Sequence, residues 1–192
     1  MRIIGGRCRG KRLAAPGAVG GGEAHLRPTS DRVRESLFNL LAHGSHGDPP
    51  PPEGCRVLDL FAGTGALGLE ALSRGAVWAV FIDDLGAARA LIRENVDTLG
   101  VIGQTKIWRR DATRLGPCRG APFDLIFADP PYGSDLGAKA LASAREGGWI
   151  APNAMIVLEH TAAQDPPAAN WLILVGTRRY GETAITIFRA EE

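Results

Sequence analysis

The chain has 192 residues, of which 45% are hydrophobic and 22% charged, and its formal net charge is +1. These values predict one globular domain with a sizeable core, and the total charge says nothing about partners. Three widely spaced cysteines argue against a disulfide framework or a zinc site, and no apolar run is long enough to cross a membrane, so we expect a cytoplasmic protein.

Positive charge is concentrated at the amino terminus. Residues 1–34 contain eight arginine or lysine side chains and two acids, whereas the rest of the chain sums to −5. This asymmetry favours a surface that binds anions, with a solvated basic arm as the alternative.

The first 26 residues predict a basic β-hairpin followed by a glycine-rich loop. Short apolar and basic runs flank Gly5, Gly6 and Gly10 in MRIIGGRCRGKRLAAP, a pattern typical of two short paired strands. Four of the six residues 17–22 are glycine, and this stretch is interpreted as a loop.

Residues 27–192 predict a larger second unit that begins with a helix within residues 27–44. Ser30 is the expected N-cap, Asp31 favours the first helical turn, and Gly44 ends the helix. The apolar stripe of this helix consists of Val33, Leu37, Leu40 and Leu41.

A proline-rich linker at residues 45–54, expected to adopt polyproline II, leads into alternating strands and helices from residue 55 onward. Strands are expected at 56–61, 77–82, 105–109, 123–128 and 154–159. Helices are expected at 66–74, 86–99 and 135–146. This alternation predicts a doubly wound parallel sheet, because the first and fourth strands are near-continuous apolar runs that need cover on both faces.

Two further strands, 171–178 and 183–189, are joined by too few residues for a helix and must form an antiparallel hairpin. The expected fold class is α/β: a Rossmann-like, mostly parallel seven-stranded sheet over residues 55–192, with helices on both faces, a C-terminal antiparallel hairpin and the small N-terminal basic hairpin. A sheet that ends in this way is more typical of class I methyltransferases than of dinucleotide dehydrogenases.

The first predicted strand leads into a G-x-G-x-x-G loop at residues 63–68. Such a loop lets the backbone approach an adenosine cofactor closely, and by itself it suggests a dinucleotide. Asp59 lies just upstream, where its carboxylate would repel a pyrophosphate and attract the ammonium or sulfonium of S-adenosyl-L-methionine. The predicted cofactor residues in this stretch are Asp59, Phe61, Ala62, Gly63, Thr64 and Gly65.

Carboxylates also end the second and third predicted strands, at the edge where such sheets bind ligands. Asp83 lies 20 residues after Gly63 and could accept hydrogen bonds from the ribose hydroxyls, although it could instead cap a helix, and Asp84 could share the role. Asp111, followed by Ala112, suits the exocyclic amine of adenine, with an ordinary loop acid as the alternative.

The fourth predicted strand ends in Asp-Pro-Pro-Tyr, residues 129–132. Two prolines stiffen the turn, so the carboxylate of Asp129 and the carbonyl of Pro130 can accept hydrogen bonds from one amine. When both N–H groups of the amine donate to these two acceptors, a tetrahedral nitrogen is favoured, and its lone pair can attack a methyl group. Tyr132 offers a ring on which an extruded base can stack. The predicted catalytic residues are therefore Asp129, Pro130, Pro131 and Tyr132.

Four stretches together resemble the RsmD-type bacterial 16S rRNA guanine-N2 methyltransferases: RIIGGRCRGKRL, RPTSDRVRESLFNLL, VLDLFAGTGALGLEALSRGA and FDLIFADPPY. The resemblance spans nearly the whole chain in the same motif order. The loop and DPPY alone indicate only an amino methyltransferase, whereas the first two stretches point to this family.

This resemblance implies methyl transfer from S-adenosyl-L-methionine, leaving S-adenosyl-L-homocysteine, to the exocyclic N2 of one flipped-out guanine of 16S rRNA, as in the guanine-966 enzyme. The substrate would be an assembling 30S subunit with its ribosomal proteins, and we expect a monomer that uses no metal and no membrane. The residues implied to meet RNA are Arg7, Arg9, Lys11, Arg12, Arg27, Thr29 and Arg32. The chain departs from the family at Asp83, where glutamate is usual, and at Leu85, where an acid or asparagine is usual.

Other functions remain open at this level. DPPY recognises an amine rather than a whole base, so an adenine-N6 enzyme or one that acts on 23S rRNA or tRNA is the nearest alternative. A nicotinamide-dependent oxidoreductase is disfavoured by Asp59, DPPY and the terminal hairpin, and a catalytically silent RNA-binding module by the intact DPPY.

Overall fold

The computed structural model describes residues 1–15, 30–44, 49–131 and 135–191. Some predicted features lie outside the described residues: the glycine-rich stretch 17–22, Arg27, Thr29 and Tyr132.

The chain folds around one seven-stranded sheet, with the strand order β3-β2-β1-β4-β5-β7-β6. Its strands are β1 (Arg56–Leu60), β2 (Trp78–Ile82), β3 (Thr105–Trp108), β4 (Phe123–Ala128), β5 (Ile150–Thr161), β6 (Leu172–Tyr180) and β7 (Thr183–Ala190). Its helices are α1 (Asp31–His43), α2 (Ala66–Ser73), α3 (Gly86–Leu99) and α4 (Leu136–Glu146). Strands β1 to β5 are parallel and β7 is antiparallel to both of its neighbours, which confirms the predicted fold class.

Both faces of the sheet are covered, because successive side chains of a strand point to opposite faces. Helices α1, α2 and α3 pack on one face, where the ring of Phe38 lies 5.8 Å from that of Phe127. Helix α4 packs on the other face beside Trp149, whose ring stacks on Phe123 at 6.0 Å. This two-sided burial explains the near-continuous apolar runs of β1 and β4.

Helix α1 begins and ends where the sequence predicts. The Ser30 hydroxyl accepts a hydrogen bond from the Val33 N–H at 3.3 Å, and the Gly44 N–H donates to the Leu40 carbonyl at 3.1 Å. Ser30 therefore caps the first turn, and Gly44 ends the helix in an extended conformation with φ −78°.

The N-terminal segment pairs as a hairpin but is less regular than predicted. It has one antiparallel bridge, Arg2 with Arg12, and a 3₁₀ turn at Gly6–Cys8 between its two arms. Beyond this bridge, the segment is held by buried side chains of α2, because Glu70 accepts from the Ile4 and Gly5 N–H groups and Ser73 from the Cys8 N–H.

Two other expectations are corrected. Within the linker, the Glu53 N–H donates to Pro50 and the Cys55 N–H to Pro52, so residues 50–55 form hydrogen-bonded turns rather than polyproline II. Strand β5 starts at Ile150 instead of residue 154, because it continues through a residue with positive φ, Asn153, beside a register shift in its pairing with β4.

Candidate active site

Three strand ends come together at the carboxyl edge of the sheet. Leu60 of β1 pairs with Ile82 of β2 on one side and with Ala128 of β4 on the other. The chain therefore leaves the sheet at one level into the glycine loop, Asp83 and Asp129. Open α/β sheets bind ligands at this edge, between neighbouring strands whose connections diverge.

Asp59 is a buried carboxyl group that caps helix α2. Its side chain is 2% exposed, and its Oδ2 accepts a hydrogen bond from the Gly68 N–H at 3.0 Å. Burial raises the pKa of Asp59 from 3.8 to about 8; the Gly68 N–H opposes this rise and the neighbouring Asp83 adds to it. Without a cation beside it, this group therefore keeps its proton at neutral pH, which refines the expectation of a standing negative charge.

Asp83 organises the glycine loop from the end of β2. Its Oδ2 accepts from the Gly63 N–H at 2.8 Å and its Oδ1 from the Leu85 N–H at 2.9 Å. Burial raises the pKa of this carboxyl group, while both of these backbone N–H groups lower it. Its neighbour Asp84 is exposed. Asp83 is therefore built into the loop, and either carboxylate remains a candidate for the ribose.

The loop has a tight backbone in which three residues take left-handed conformations. Phe61, Gly63 and Gly65 all have positive φ, of 57°, 55° and 75°. A Cβ on Gly68 would lie 2.5 Å from the Phe81 ring and 3.1 Å from Asp59 Oδ2, so glycine is required for helix α2 to approach β1 and β2.

This loop fits a cationic adenosine cofactor better than a pyrophosphate. In dinucleotide sites, backbone N–H groups of the glycine loop and the helix N-terminus bind phosphate. Here the Gly63 and Gly68 N–H groups already donate to the carboxyl groups of Asp83 and Asp59. A phosphate would have to displace these acids from the N–H groups, whereas an ammonium or sulfonium would stabilise the ionised form of the carboxyl groups.

Asp111 lies three residues after β3 and is exposed. Its Oδ1 accepts hydrogen bonds from the Thr113 N–H at 2.8 Å and the Thr113 hydroxyl at 2.7 Å. These bonds lower the pKa of Asp111, so it is ionised at neutral pH. The next residue, Ala112, is buried and starts a 3₁₀ turn at Ala112–Arg114.

The turn after β4 is held against both neighbouring elements. The Asp129 N–H donates to the Leu60 carbonyl at 3.4 Å, and Asp129 is half-buried. Pro130 is buried, and a Cβ on Gly137 of α4 would lie 3.2 Å from its ring, so α4 packs closely on this turn. Pro131 is exposed. The turn therefore lies fixed between β1 and α4, at the level of the glycine loop.

The basic residues of the N-terminal segment are spread along helix α2. Arg7 lies at the turn, where its guanidinium donates to the Gln104 side chain before β3, and the Cys8 N–H reaches Ser73 at the end of α2. This end of α2 is at the edge of the sheet opposite to the glycine loop. Arg12, bridged to Arg2, lies on the arms nearer the loop. The structure therefore does not bring Arg7 to the carboxyl edge of the sheet. The exposed members of the predicted RNA-binding set that the structure describes are Arg7, Arg9, Lys11, Arg12 and Arg32.

Arg32 lines a groove of about 590 Å³ between α1 and the β6–β7 hairpin. Ser36 and Arg178 also line it, and the Ser36 hydroxyl bonds the Tyr180 hydroxyl at 2.6 Å. Arg178 and Arg179 are exposed near the carboxyl end of β6. No local motif marks these arginines, because their place at the carboxyl edge of the sheet follows only from the pairing of β6 with β7.

Four polar residues that were not predicted as functional are fully or almost fully buried. Their side chains hold the N-terminal segment on the helices, and they are Arg34, Glu70, Ser73 and Asn95. An acid within the otherwise apolar ALGLEALS is the one local signal that could have indicated such a role for Glu70.

Within the described ranges, no group of three or more histidine, cysteine, aspartate or glutamate side chains could hold a metal ion. None of the helices in that part of the chain is long and apolar enough to span a membrane.

Comparison with known proteins extends the likeness over the whole chain. A family model described as Conserved hypothetical protein 95 matches residues 1–189. The Ribosomal RNA small subunit methyltransferase D of Escherichia coli (strain K12) is 37% identical over 194 residues, which cover 100% of this chain and 90% of that protein. The Putative rRNA methyltransferase YlbH of Bacillus subtilis (strain 168) is 34% identical over 193 residues, 98% of each protein.

Among solved structures, the Putative methyltransferase yhhF from Escherichia coli has a TM-score of 0.81 and 34% sequence identity to this chain. The match covers 100% of this chain and 98% of that one. It therefore includes the N-terminal segment and the C-terminal hairpin as well as the glycine loop.

Proposed function

The chain belongs to the RsmD-type family of ribosomal RNA methyltransferases, and we propose that it methylates the exocyclic N2 of one guanine of 16S rRNA. The methyl donor is S-adenosyl-L-methionine, and the substrate is an assembling small subunit with its ribosomal proteins. A ribosomal substrate implies that the enzyme works in the cytoplasm, and we expect it to act there as a monomer.

The residues at the carboxyl edge fit this cofactor, which supplies an electrophilic methyl group on a sulfonium when bound. Asp59 offers a carboxyl group beside the loop, Asp83 or Asp84 accepts from the ribose, and Asp111 accepts from the adenine amine. Of these, Asp59 discriminates best, because a buried acid near a cation gains far more than one in water. The backbone of residues 61–65 and of Ala112 lines the same cofactor-binding site.

The turn after β4 prepares the amine. The carboxylate of Asp129 and the carbonyl of Pro130 accept hydrogen bonds from the two N–H groups of the guanine N2. These hydrogen bonds localise the lone pair of the nitrogen and direct it toward the methyl group. No strong base is needed, because the amine loses a proton readily once it has been methylated. Pro131 keeps the turn rigid, and Tyr132 provides an aromatic ring for the flipped base, a contact worth about 1–3 kcal/mol.

RNA binding is assigned to the basic N-terminal segment and the start of α1. Arginine and lysine contacts to phosphates position an enzyme without reading sequence, so selection of one guanine comes from the shape of the RNA. The proposed contacts are Arg7, Arg9, Lys11, Arg12, Arg27, Thr29 and Arg32. Because the segment lies along the length of α2, it can follow an RNA backbone from the catalytic edge to the opposite edge.

The observation that carries this proposal is the pairing of a carboxyl-capped glycine loop with an Asp-Pro-Pro turn at one level of the sheet. Transfer of labelled methyl to 30S particles, naked 16S rRNA and 23S rRNA from cells that lack the enzyme tests it. We expect one modified guanine in 16S rRNA, located by mass spectrometry, with 30S particles as the best substrate. A methylated adenine, or label only in 23S rRNA, would contradict the proposal.

Neutralising the arginine and lysine side chains of the N-terminal segment is expected to weaken RNA binding and to reduce its dependence on salt concentration. Replacing Arg7, Arg9, Lys11 and Arg12 by glutamine removes up to four phosphate contacts, and each contact contributes roughly 0.7–0.9 to the slope of log K against log salt. Titration of a fluorescent 16S fragment at several salt concentrations measures this slope.

The matched control replaces four exposed lysine or arginine residues elsewhere by glutamine, so that its net charge changes by the same amount as in the N-terminal variant. Suitable positions are Lys106, Arg119, Lys139 and Arg189. An unchanged slope in the N-terminal variant, or an equal loss in both variants, would remove this segment from the RNA interface.

A further inference from the structure

The N-terminal segment is fastened to the methyltransferase core by buried polar side chains of two helices. Glu70 accepts from the Ile4 and Gly5 N–H groups, both at 2.8 Å, and Ser73 accepts from the Cys8 N–H at 2.9 Å. These contacts lie on α2 and hold the arm that leads into the turn and the turn itself. The return arm is held from α3 by a different residue.

That residue is Asn95, which is fully buried. Its Oδ1 accepts from the Ala14 N–H at 2.7 Å, and its Nδ2 donates to the Ala14 carbonyl at 3.2 Å. The same Nδ2 donates to the Thr64 carbonyl at 3.0 Å. One amide therefore binds both polar groups of an N-terminal residue and one carbonyl of the glycine loop.

The position of the Thr64 carbonyl affects the conformation of the glycine loop, which is assigned to the cofactor. It belongs to the peptide that enters Gly65, the left-handed residue from which α2 begins. A second contact joins the same two parts of the chain, because the Thr64 hydroxyl donates to the Met1 sulfur at 3.8 Å. The arms of the N-terminal segment therefore end against the loop that is assigned to the cofactor.

We propose that Asn95 is a positioning residue that couples the N-terminal segment to the cofactor loop, so that RNA and cofactor strengthen each other's binding. This inference rests on the proposed function for its RNA half. A ligand that orders one side of the shared amide lowers the entropic cost of ordering the other side. Such coupling is reciprocal: RNA must raise cofactor affinity by the factor by which cofactor raises RNA affinity.

The substitution Asn95→Asp tests the positioning half. It keeps the size of the side chain and the acceptor for Ala14, but it replaces the donating NH₂ by an oxygen facing two carbonyls. Calorimetry should show at least a tenfold loss of affinity for S-adenosyl-L-homocysteine at pH 8. Relative to wild type, the variant should recover as the pH falls, because a protonated carboxyl group can donate again to one carbonyl.

Glu70→Gln is the matched control, since it loosens the same segment without touching the loop. Its S-adenosyl-L-homocysteine affinity should stay within about twofold of wild type, even where its melting temperature falls as far as that of Asn95→Asp. Equal losses of affinity in the two variants, or none in Asn95→Asp, would overturn the positioning role.

The coupling half is measured as the ratio of S-adenosyl-L-homocysteine affinities with and without a saturating 16S fragment. We expect a ratio of at least threefold for wild type and close to one for Asn95→Asp. A wild-type ratio of one would refute the coupling. Failure of the wild type to bind any rRNA would refute the proposed function, while the calorimetry still decides the positioning role.

Hydrogen exchange on the wild-type protein provides a test that needs no variant. Binding of S-adenosyl-L-homocysteine should slow exchange of the Ala14 amide, which donates to Asn95, and leave the Ile4 amide, which donates to Glu70, unchanged. Equal protection at both amides, or none at Ala14, would count against the inference.

Discussion

Replacing Asp129 by alanine is expected to lower methyl transfer by about 10³-fold or more while leaving cofactor affinity within a few fold of wild type. The carboxylate is proposed to act on the guanine amine, and its role arises as the nitrogen becomes tetrahedral. Loss of this acceptor therefore removes an interaction made in the transition state, so kcat and kcat/KM should fall together. Single-turnover methylation of 30S particles and calorimetry with S-adenosyl-L-homocysteine measure the two quantities separately.

Asp135→Ala is the matched control for this experiment. Asp135 lies on the same connection between β4 and α4, is exposed, and its side chain does not cap the helix. The control should retain near-wild-type rates. If Asp129→Ala also methylates at the wild-type rate, or loses cofactor binding in parallel with activity, the proposed amine clamp is wrong.

Replacing Asp59 by asparagine is expected to weaken binding of S-adenosyl-L-methionine by roughly 10²-fold. The substitution keeps an acceptor for the Gly68 N–H but removes the charge that is proposed to attract the cofactor's cation. S-adenosyl-L-homocysteine lacks the sulfonium, so the difference between the losses for the two ligands reports how much of the attraction is aimed at sulfur. Asp97→Asn, which removes one exposed charge from α3, should leave both affinities unchanged.

The pH dependence gives Asp59 a signature of its own. Its pKa of about 8 means that cofactor binding to the ionised form must release a proton below that pH. Affinity in the wild type should therefore rise with pH by up to about tenfold per unit and level off near pH 8. This rise should disappear in Asp59→Asn. A pH-independent wild-type affinity would show that the cofactor does not require the ionised form.

Stability without cofactor should change in the opposite sense. The folded protein holds the Asp59 proton more tightly than the unfolded chain, so the stability that this group contributes is lost as the pH rises from about 4 to about 8. Above pH 8, Asp59→Asn should melt at a higher temperature than the cofactor-free wild type, because it buries no charge. Calorimetric melting of both proteins at pH 5 and pH 9 checks the loss of wild-type stability with rising pH and the higher melting temperature of Asp59→Asn at pH 9.

Much of the fold was predictable because its signals are local. The bounds of α3 and β4 were predicted without error, and those of α1, β1 and β2 within a residue or two, from apolar spacing and from caps such as Ser30. The errors arose where distant groups intervene. The N-terminal segment has one bridge and is otherwise held by bonds to Glu70 and Ser73, and β5 passes through Asn153, although the local pattern predicts that the strand starts at residue 154.

For the candidate site, the sequence by itself determined the inventory: a glycine loop, a carboxylate at each of four strand ends and an Asp-Pro-Pro turn. Each lies next to its own strand along the chain, so spacing alone was enough to find it. Only the tertiary structure decided how these groups behave. Asp59 holds a proton because it is buried, Arg7 lies at the far end of α2, and Asn95 reaches across 81 residues to Ala14. The burial of a side chain and the identity of its hydrogen-bond partners depend on residues that are far apart in the chain, and tertiary packing alone brings these residues together.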